Sequence, residues 1–203
     1  MDELTSMKLD VLRELGNIGA GNATTALSVM LNSNLRMESP IVKVLDFDGI
    51  ADMIGGADTI VATVLTRFSG EVSGMMLFIL ELEEAKNLAG TMLSKTYGDD
   101  FEGFDHMDKS ALKEIGNILM SSYINSIGTL TNIQFRTEPP AICVDMAGSV
   151  LSLPISQLGQ IGDKALVIDS KFLDNERPIN GFMMLVTDEI SYQKIFESLG
   201  IGC

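Results

Sequence analysis

The sequence predicts an α/β (α+β) fold formed by internal duplication, with pseudo-two-fold symmetry, a largely antiparallel sheet shared by both halves, and two long exposed helices. Three observations support this prediction. A polar phrase occurs twice, at residues 10–17 and 110–117. Each copy is followed by 22 residues and then a proline, Pro40 or Pro140. The order helix, strand, hairpin, helix follows in both halves, as expected for a duplicated unit.

The first half begins with a long helix, predicted over residues 5–32 and capped by Thr5 or Ser6. Residues 35–47 predict a strand, and residues 48–56 a turn or short helix. The β-branched residues of 59–68 predict a strand, Gly70 marks a turn, and residues 72–80 predict the returning strand of a hairpin. A helix over 83–95 and an acidic, glycine-containing linker over 97–105 complete this half. The apolar residues of the first helix recur at helical spacing, at Val11, Leu12, Leu15, Ile18, Gly19, Ala23, Ala26 and Met30.

The second half repeats this order. Asp108 is expected to cap a helix over 109–129, and residues 132–147 predict a strand interrupted by Pro139 and Pro140. A hairpin follows, with strands over 162–170 and 179–187 and a turn over 175–178. Asp188 is expected to cap a last helix over 189–199, which Gly200 ends.

The two halves are expected to share one core. Residues 73–77 resemble residues 180–184 at an offset of 107, which implies a seven-residue insertion in the second half. Neither half has enough strands to bury a core alone, so a shared sheet is predicted, and its hairpins make it mostly antiparallel. We therefore predict a single domain over residues 1–203, made of repeats at about 1–97 and 106–203.

Composition limits the partners and the compartment. The net charge is −14, which opposes binding to nucleic acid and to anionic lipid. The longest apolar run, residues 75–80, is too short to span a membrane, and the first residues do not form a signal peptide. Cys143 and Cys203 make no disulfide framework, so a reducing, cytoplasmic location is expected. A monomer is slightly favoured over an oligomer.

The repeated phrase places a carboxylate beside an amide on each long helix. Each helical residue advances about 100°, so the polar residues of a copy share one sector while Leu12, Leu15 and Gly19 point away. Gly16 and Gly116 lie mid-helix, where glycine costs about 1 kcal/mol relative to alanine, which predicts the close approach of another backbone. A solvated helix face, or amides that cap or bridge across the two-fold, are the structural alternatives. The polar residues are Asp10, Glu14 and Asn17 in the first copy and Ser110, Glu114 and Asn117 in the second.

The chemistry available to these residues is narrow. No nucleophile lies beside them, and the only histidine, His106, precedes the second helix, which excludes serine and cysteine triads. One carboxylate and one amide are too few ligands for a metal ion. An amide can, however, orient an attacking water in phosphoryl transfer, and a carboxylate can pair with a partner's lysine or arginine. The sequence therefore indicates a protein that completes a partner's phosphorylated site.

The two copies resemble the [Asp/Ser]-x3-Glu-x2-Asn-x22-Pro signature of the CheC/CheX/FliY phosphatases of bacterial and archaeal chemotaxis. The resemblance covers essentially the whole chain, and residues 16–27 are similar to the CheC branch in particular. CheX-type chains carry one such motif, and FliY-type chains add further segments that 203 residues do not accommodate. The resemblance implies a CheC-like fold, a duplication with the two long helices exposed.

The resemblance also implies a function. The substrate would be the response regulator CheY, whose aspartyl phosphate is hydrolysed. Asn17 and Asn117 would each orient the attacking water, and Glu14 and Glu114 would each pair with the regulator's lysine. Asp10 and Ser110 would be supporting residues. The chain would need no cofactor or metal of its own because Mg²⁺ belongs to the regulator, and CheD, a receptor deamidase, would be a further partner.

Two other functions remain open at the level of sequence. The chain could be a non-catalytic adaptor that binds CheD or the flagellar switch through its helix faces. It could also be a stand-alone hydrolase using Glu14 or Glu114 as a base, although the sequence offers neither the nucleophile nor the metal that this requires. The copies differ just beyond the motif, at residues 19–22 and 119–122, so equal activity of the two sites does not follow.

Overall fold

The computed structural model describes residues 6–31, 35–38, 40–158, 164–174 and 177–200. The expected cap Thr5, the expected helix end at 32–34 and Cys203 lie outside these residues. The first half contains α1 (Ser6–Leu31), β1 (Leu35–Met37), β2 (Ile41–Asp46), α2 (Phe47–Ile54), β3 (Ile60–Gly70), β4 (Gly74–Glu81) and α3 (Leu82–Leu93). The second contains α4 (His106–Thr131), β5 (Phe135–Thr137), β6 (Ala141–Met146), α5 (Ala147–Leu158), β7 (Lys164–Asp174), β8 (Arg177–Thr187) and α6 (Glu189–Ser198).

The strands form one sheet that both halves share. Its order is β1-β7-β8-β4-β3-β5, with β2 also pairing with β7 and β6 also pairing with β3. Every pairing among the described strands is antiparallel, including β4 with β8, which joins the halves at the centre. The predicted fold class, with its duplication and antiparallel shared sheet, is confirmed.

The central strands are apolar because both of their faces are buried. In β4, Met76, Phe78 and Leu80 contribute to a core beneath α1, α3, α4 and α6. The intervening residues of β4 contribute to a second core beneath α2 and α5. A strand buried on both faces lacks the alternation of polar and apolar residues that marks a half-exposed strand. The unbroken apolar run at residues 75–80 thus reflects the position of β4 at the middle of a three-layer structure.

Hydrogen bonds cross between the halves at equivalent positions. The backbone N–H of Ser73, in the β3–β4 turn, donates to the hydroxyl of Ser191 on α6 at 2.9 Å. At the equivalent place in the other half, the backbone N–H of Asn180 donates to Glu84 on α3 at 3.2 Å, and its side-chain amide donates to the same oxygen at 2.9 Å. The last helix of each half is therefore tied to the hairpin of the other.

The extra residues of the second half occur in two places. α5 has 12 residues where α2 has 8, and β8 has 11 residues where β4 has 8. These differences match the change of offset between the repeats from 100 to 107. The predicted strand over 132–147 is interrupted at Pro139 and Pro140 as expected, into β5 and β6, and the chain enters α5 at Ala147. α5 was missed, since its sequence is mostly apolar and contains Pro154 within the helix.

The start of α4 corrects the predicted cap. Asp105, not Asp108, is the N-cap, and its side chain accepts from the backbone N–H of Asp108 at 2.9 Å. Asp108 returns the bond by accepting from the backbone N–H of Asp105 at 3.0 Å, which completes a capping box. His106, which was placed before the second helix, is its first residue. Two aspartates three residues apart satisfy the same sequence rule, and only the reciprocal bonding distinguishes the cap from its partner.

Asp108 is also the centre of a buried ionic cluster. Its side chain is 1% exposed and accepts from Lys95 at 2.9 Å and from the hydroxyl of Tyr97 at 2.9 Å. Burial opposes its ionisation, but the bonds from Lys95, the Asp105 backbone and Tyr97 outweigh burial and lower the pKa of Asp108. Burial and the bond to Asp108 raise the pKa of Tyr97 to about 12. The segment that links the halves is therefore fixed to the start of α4.

This cluster predicts an acid-dependent part of the stability. We expect Asp108→Asn to lower the free energy of unfolding at pH 7 by about 1.5–3 kcal/mol, because a buried acceptor loses charged hydrogen bonds. The pKa of Asp108 is lower in the folded chain than in the unfolded chain. Its contribution is therefore present above the unfolded-state pKa, about 4, and is lost as the pH falls through the folded-state pKa. Urea unfolding at several pH values measures the difference between wild type and variant.

The difference in the free energy of unfolding between wild type and Asp108→Asn should narrow as the pH falls below 5. Asp99→Asn serves as the control, because Asp99 is an exposed acid of the same linker, and it should leave stability nearly unchanged. A gap of equal size at neutral and strongly acidic pH would contradict an ionised Asp108 in the folded chain.

Candidate functional site

The first carboxylate–amide pair lies on the exposed face of α1. Glu14 and Asn17 are exposed, whereas Leu12 and Leu15 are buried in the core on the other side of the helix. Three residues of helix separate the pair by about 4.5 Å along the axis. Ile18 was predicted to belong to the apolar stripe, but it is exposed. It lies about 60° around the helix from Leu15, on the side away from Leu12, and therefore lies one turn beyond Glu14 on the exposed face.

The second pair lies at the same register on α4 in different surroundings. Glu114 is exposed, while Asn117 and Ser110 are half-buried. Leu112 and Ile115 fill the core beneath them. The structure thus brings Glu and Asn together on each helix, but the two amides differ in their access to solvent.

The motif glycines let both helices lie close to the sheet. A Cβ on Gly116 would come within 2.7 Å of Val64 in β3. A Cβ on Gly16 would come within 3.1 Å of Pro40, the proline of the same motif, and 3.5 Å of Val42. The predicted close approach is real, but side chains make it rather than another backbone. In the first copy, the 22-residue spacing brings the motif proline back onto the motif glycine.

The two long helices also pack against each other. Gly19 of α1 faces the ring of Tyr123 of α4, and a Cβ on Gly19 would lie 2.7 Å from that ring. Tyr123 is buried, as is Ala23 at the equivalent position of α1. Large side chains on α4 therefore fit against small ones on α1. This complementarity accounts for part of the sequence difference between the copies beyond the motif.

The helices run in opposite directions, so the two pairs point to separate places. Gly19 meets Tyr123, and further towards the start of α1, Leu15 and Leu12 share a small cavity of about 40 Å³ with Ile127 of α4. Moving back along α1 thus corresponds to moving forward along α4. From the helical rise, the two pairs are separated along the axis by on the order of 10 to 20 Å. Each pair can therefore be approached as a site of its own.

The supporting residues differ between the copies. Asp10 accepts a hydrogen bond from Arg13 at 3.2 Å, and both side chains are largely exposed. Ser110 stands at the position of Asp10, and Lys113 at the position of Arg13. An exposed ion pair contributes little to stability, so the pair's main consequence is to hold Arg13 beside Asp10 on the face that carries Glu14.

Within the described residues, no group of three or more histidine, cysteine, aspartate or glutamate side chains is arranged to hold a metal ion. His106 lies at the first position of α4, two turns before Glu114.

No helix in the part of the chain that the structure describes is long and apolar enough to cross a membrane.

These features define a class of protein: a duplicated α/β chain that presents two carboxylate–amide pairs on exposed helices. Residues 7–44 and 107–144, one segment in each repeat, match the CheC-like family. The chain is 37% identical over 199 residues to the CheY-P phosphatase CheC of Bacillus subtilis, which covers 95% of this chain and 94% of that protein. The chain therefore belongs to the CheC-like family.

Other relatives share the fold more broadly. The chain is 30% identical over 146 residues to the flagellar motor switch phosphatase FliY of B. subtilis, covering 70% of this chain and 37% of FliY. The crystal structure of Thermotoga maritima FliY superposes with a TM-score of 0.76 over 98% of both chains, at 20% identity. A chain of the CheX–CheY–BeF3–Mg²⁺ complex from Borrelia burgdorferi superposes with a TM-score of 0.55, at 18% identity, covering 85% of this chain and 97% of that one. At these identities the superpositions show the fold alone.

The glycine contacts predict opposite effects of one substitution at two sites. Gly116→Ala should destabilise the protein by about 1–3 kcal/mol, because the new Cβ would overlap Val64. Gly21→Ala should raise stability by up to about 1 kcal/mol, because nothing lies within 4 Å of its Cβ position and alanine favours the helix. Urea midpoints of the two variants and wild type measure both effects. Equal stabilisation by both substitutions would show that α4 is not pressed onto β3.

Proposed function

We propose that this chain hydrolyses the aspartyl phosphate of the response regulator CheY. One observation supports the proposal above the others: the Glu/Asn pair stands at the same register on two exposed helices, in a chain 37% identical over 199 residues to a CheY-P phosphatase. A purely structural role would not require the same carboxylate and amide at the same register of both helices.

In the proposed reaction the amide positions water. Asn17 or Asn117 enters the regulator's site and holds a water molecule in line with the phosphorus–oxygen bond. The water oxygen attacks phosphorus, the bond to the aspartyl oxygen breaks, and inorganic phosphate and a free carboxylate remain. Phosphoryl transfer needs positioning more than covalent participation by the protein, which suits an amide without a nucleophile beside it.

In the same proposal the carboxylate fixes the position of the amide. Glu14 or Glu114, about 4.5 Å along the helix axis from its Asn, pairs with the lysine of the regulator's site. Because both side chains project from one rigid helix, pairing by the Glu determines where the Asn amide lies. The metal ion would be the regulator's Mg²⁺, and this chain would supply only the helix, the carboxylate and the amide.

The main test removes each amide separately. We expect Asn17→Ala and Asn117→Ala each to lose part of the phosphatase activity, and the double variant to lose about 10²-fold or more, because water is no longer oriented. The measurement is the lifetime of phosphorylated CheY with each variant. Asn22→Ala and Asn125→Ala are matched controls, because both are exposed amides on the same two helices, and they should leave the lifetime as in wild type.

The outcome also discriminates between functions. A double variant as active as wild type would refute the water-positioning role. If wild type binds phosphorylated CheY without shortening its lifetime, the chain is an adaptor rather than an enzyme. Glu14→Gln and Glu114→Gln, each made in the background that retains only its own site, should weaken binding and rate together. Binding to CheD stays a prediction of the family resemblance.

A further inference from the structure

An exposed apolar patch lies at one edge of the sheet. Ile60 of β3 and Val144 and Met146 of β6 are 41%, 39% and 47% exposed. Ile60 pairs directly with Met146, and Val144 pairs with Ala62, so the three side chains share one face of the sheet. We call these three residues the edge patch. Apolar side chains that cluster on a surface mark contact sites more often than isolated ones do.

The edge patch lies on the sheet face that α4 covers, between the second Glu/Asn pair and the start of the helix. Gly116 of α4 rests on Val64, and Gly128 of the same helix lies 3.4 Å, from its Cβ position, from Phe135 of β5. Phe135 pairs with Gly70, so moving from residue 64 to residue 70 of β3 follows α4 towards its end. Moving the other way, from Val64 to Ile60, therefore leads towards the start of α4, about 13 Å along the strand from the position of Gly116.

The same place in the other half has a different character. The register partners equivalent to Met146 and Ile60 are Asp46 of β2 and Lys164 of β7. Asp46 is exposed and accepts a hydrogen bond from the backbone N–H of Gly49, capping α2. At the sheet edge beside the first Glu/Asn pair, an aspartate is thus paired with a lysine in the strand register. At the edge beside the second Glu/Asn pair, a methionine is paired with an isoleucine.

We propose that the edge patch is a second contact surface for the CheY receiver when it docks on α4. The inference rests on the proposed function. A receiver that admits Asn117 must approach α4 closely, since Asn117 is half-buried and projects less freely than Asn17. Such an approach brings its surface over the adjoining sheet edge. The receiver surface that covers Ile60, Val144 and Met146 would have to be apolar.

The receiver fits this surface better than a second copy of the chain does. Each copy carries a net charge of −14, so two copies repel each other. Three half-exposed side chains form a patch far smaller than a stable dimer needs. The patch lies, in contrast, on the sheet face that α4 covers, about 6 to 13 Å along β3 from Val64, on which Gly116 rests. The edge beside the second pair would therefore add an apolar contact that the exposed Asp46 of the first half does not offer.

The test exchanges the edge of one half for that of the other. Ile60→Lys together with Met146→Asp places the register pair of the first half at the second site without changing net charge. The exchange is made in Asn17→Ala, which keeps only the α4 site, and in Asn117→Ala, which keeps only the α1 site. We expect the KM for phosphorylated CheY to rise about tenfold in the first background with kcat unchanged, and to stay constant in the second.

Two controls keep the result interpretable. Ile190→Gln removes an exposed apolar side chain on α6, away from the patch, and should leave KM unchanged in both backgrounds. Circular dichroism and urea unfolding verify that the exchanged proteins fold. An unchanged KM in the Asn17→Ala background, or an equal rise in both, would overturn the proposal.

A binding measurement separates this proposal from the proposed function. Calorimetry with CheY carrying BeF3 and Mg²⁺ does not depend on hydrolysis, and the exchange should weaken this binding about tenfold in the Asn17→Ala background. Absence of hydrolysis by wild type, with this weakening intact, would refute the phosphatase and keep the surface. Sedimentation of the exchanged and unexchanged proteins should give one oligomeric state. A change of oligomeric state with no change in receiver binding would assign the patch to self-association.

Discussion

The antiparallel pairing of β4 with β8 is the interaction on which the rest of the structure depends. It places two equivalent strands side by side at the centre of the sheet, related by the pseudo-two-fold axis. Because both faces of β4 are buried, each half completes a core that the other cannot close alone. The crossed hydrogen bonds from Ser73 to Ser191 and from Asn180 to Glu84 act at the two ends of the same arrangement. The register of the two motif helices follows from this central pairing.

The inner faces of α1 and α4 pack on the sheet, and their outer faces are turned away from it. Gly116 lies against Val64, and Gly16 lies against Pro40, so the cost of glycine within a helix is offset by close packing on the sheet. Packing of the inner faces of α1 and α4 stabilises the protein, whereas the described polar side chains of their outer faces make few contacts. Substitutions of exposed Glu or Asn residues should therefore change function with little effect on folding, which lets mutational tests of function be read directly.

The fold and the site provide different information about function. The superpositions at 20% identity and below show the fold alone. A fold can host several functions, so the proposed activity depends on the exposed Glu/Asn pairs rather than on the sheet. The copies share Glu and Asn but differ around them, because α1 and α4 fit together through unlike residues such as Gly19 and Tyr123. Sequence divergence beside the motif is thus partly a consequence of helix packing.

The sequence by itself determined the duplication, the long helices, the antiparallel hairpins and the Glu/Asn registers, because each depends on local periodicity or fixed spacing. It also indicated that Gly16 and Gly116 meet a close neighbour. Only the tertiary structure decided what that neighbour is, which aspartate caps α4, and that residues after Met146 form a helix. It alone showed Ile18 outside the core and an apolar edge beside one pair but not the other. These features depend on contacts between residues far apart in the chain, and spacing along the sequence does not specify such contacts.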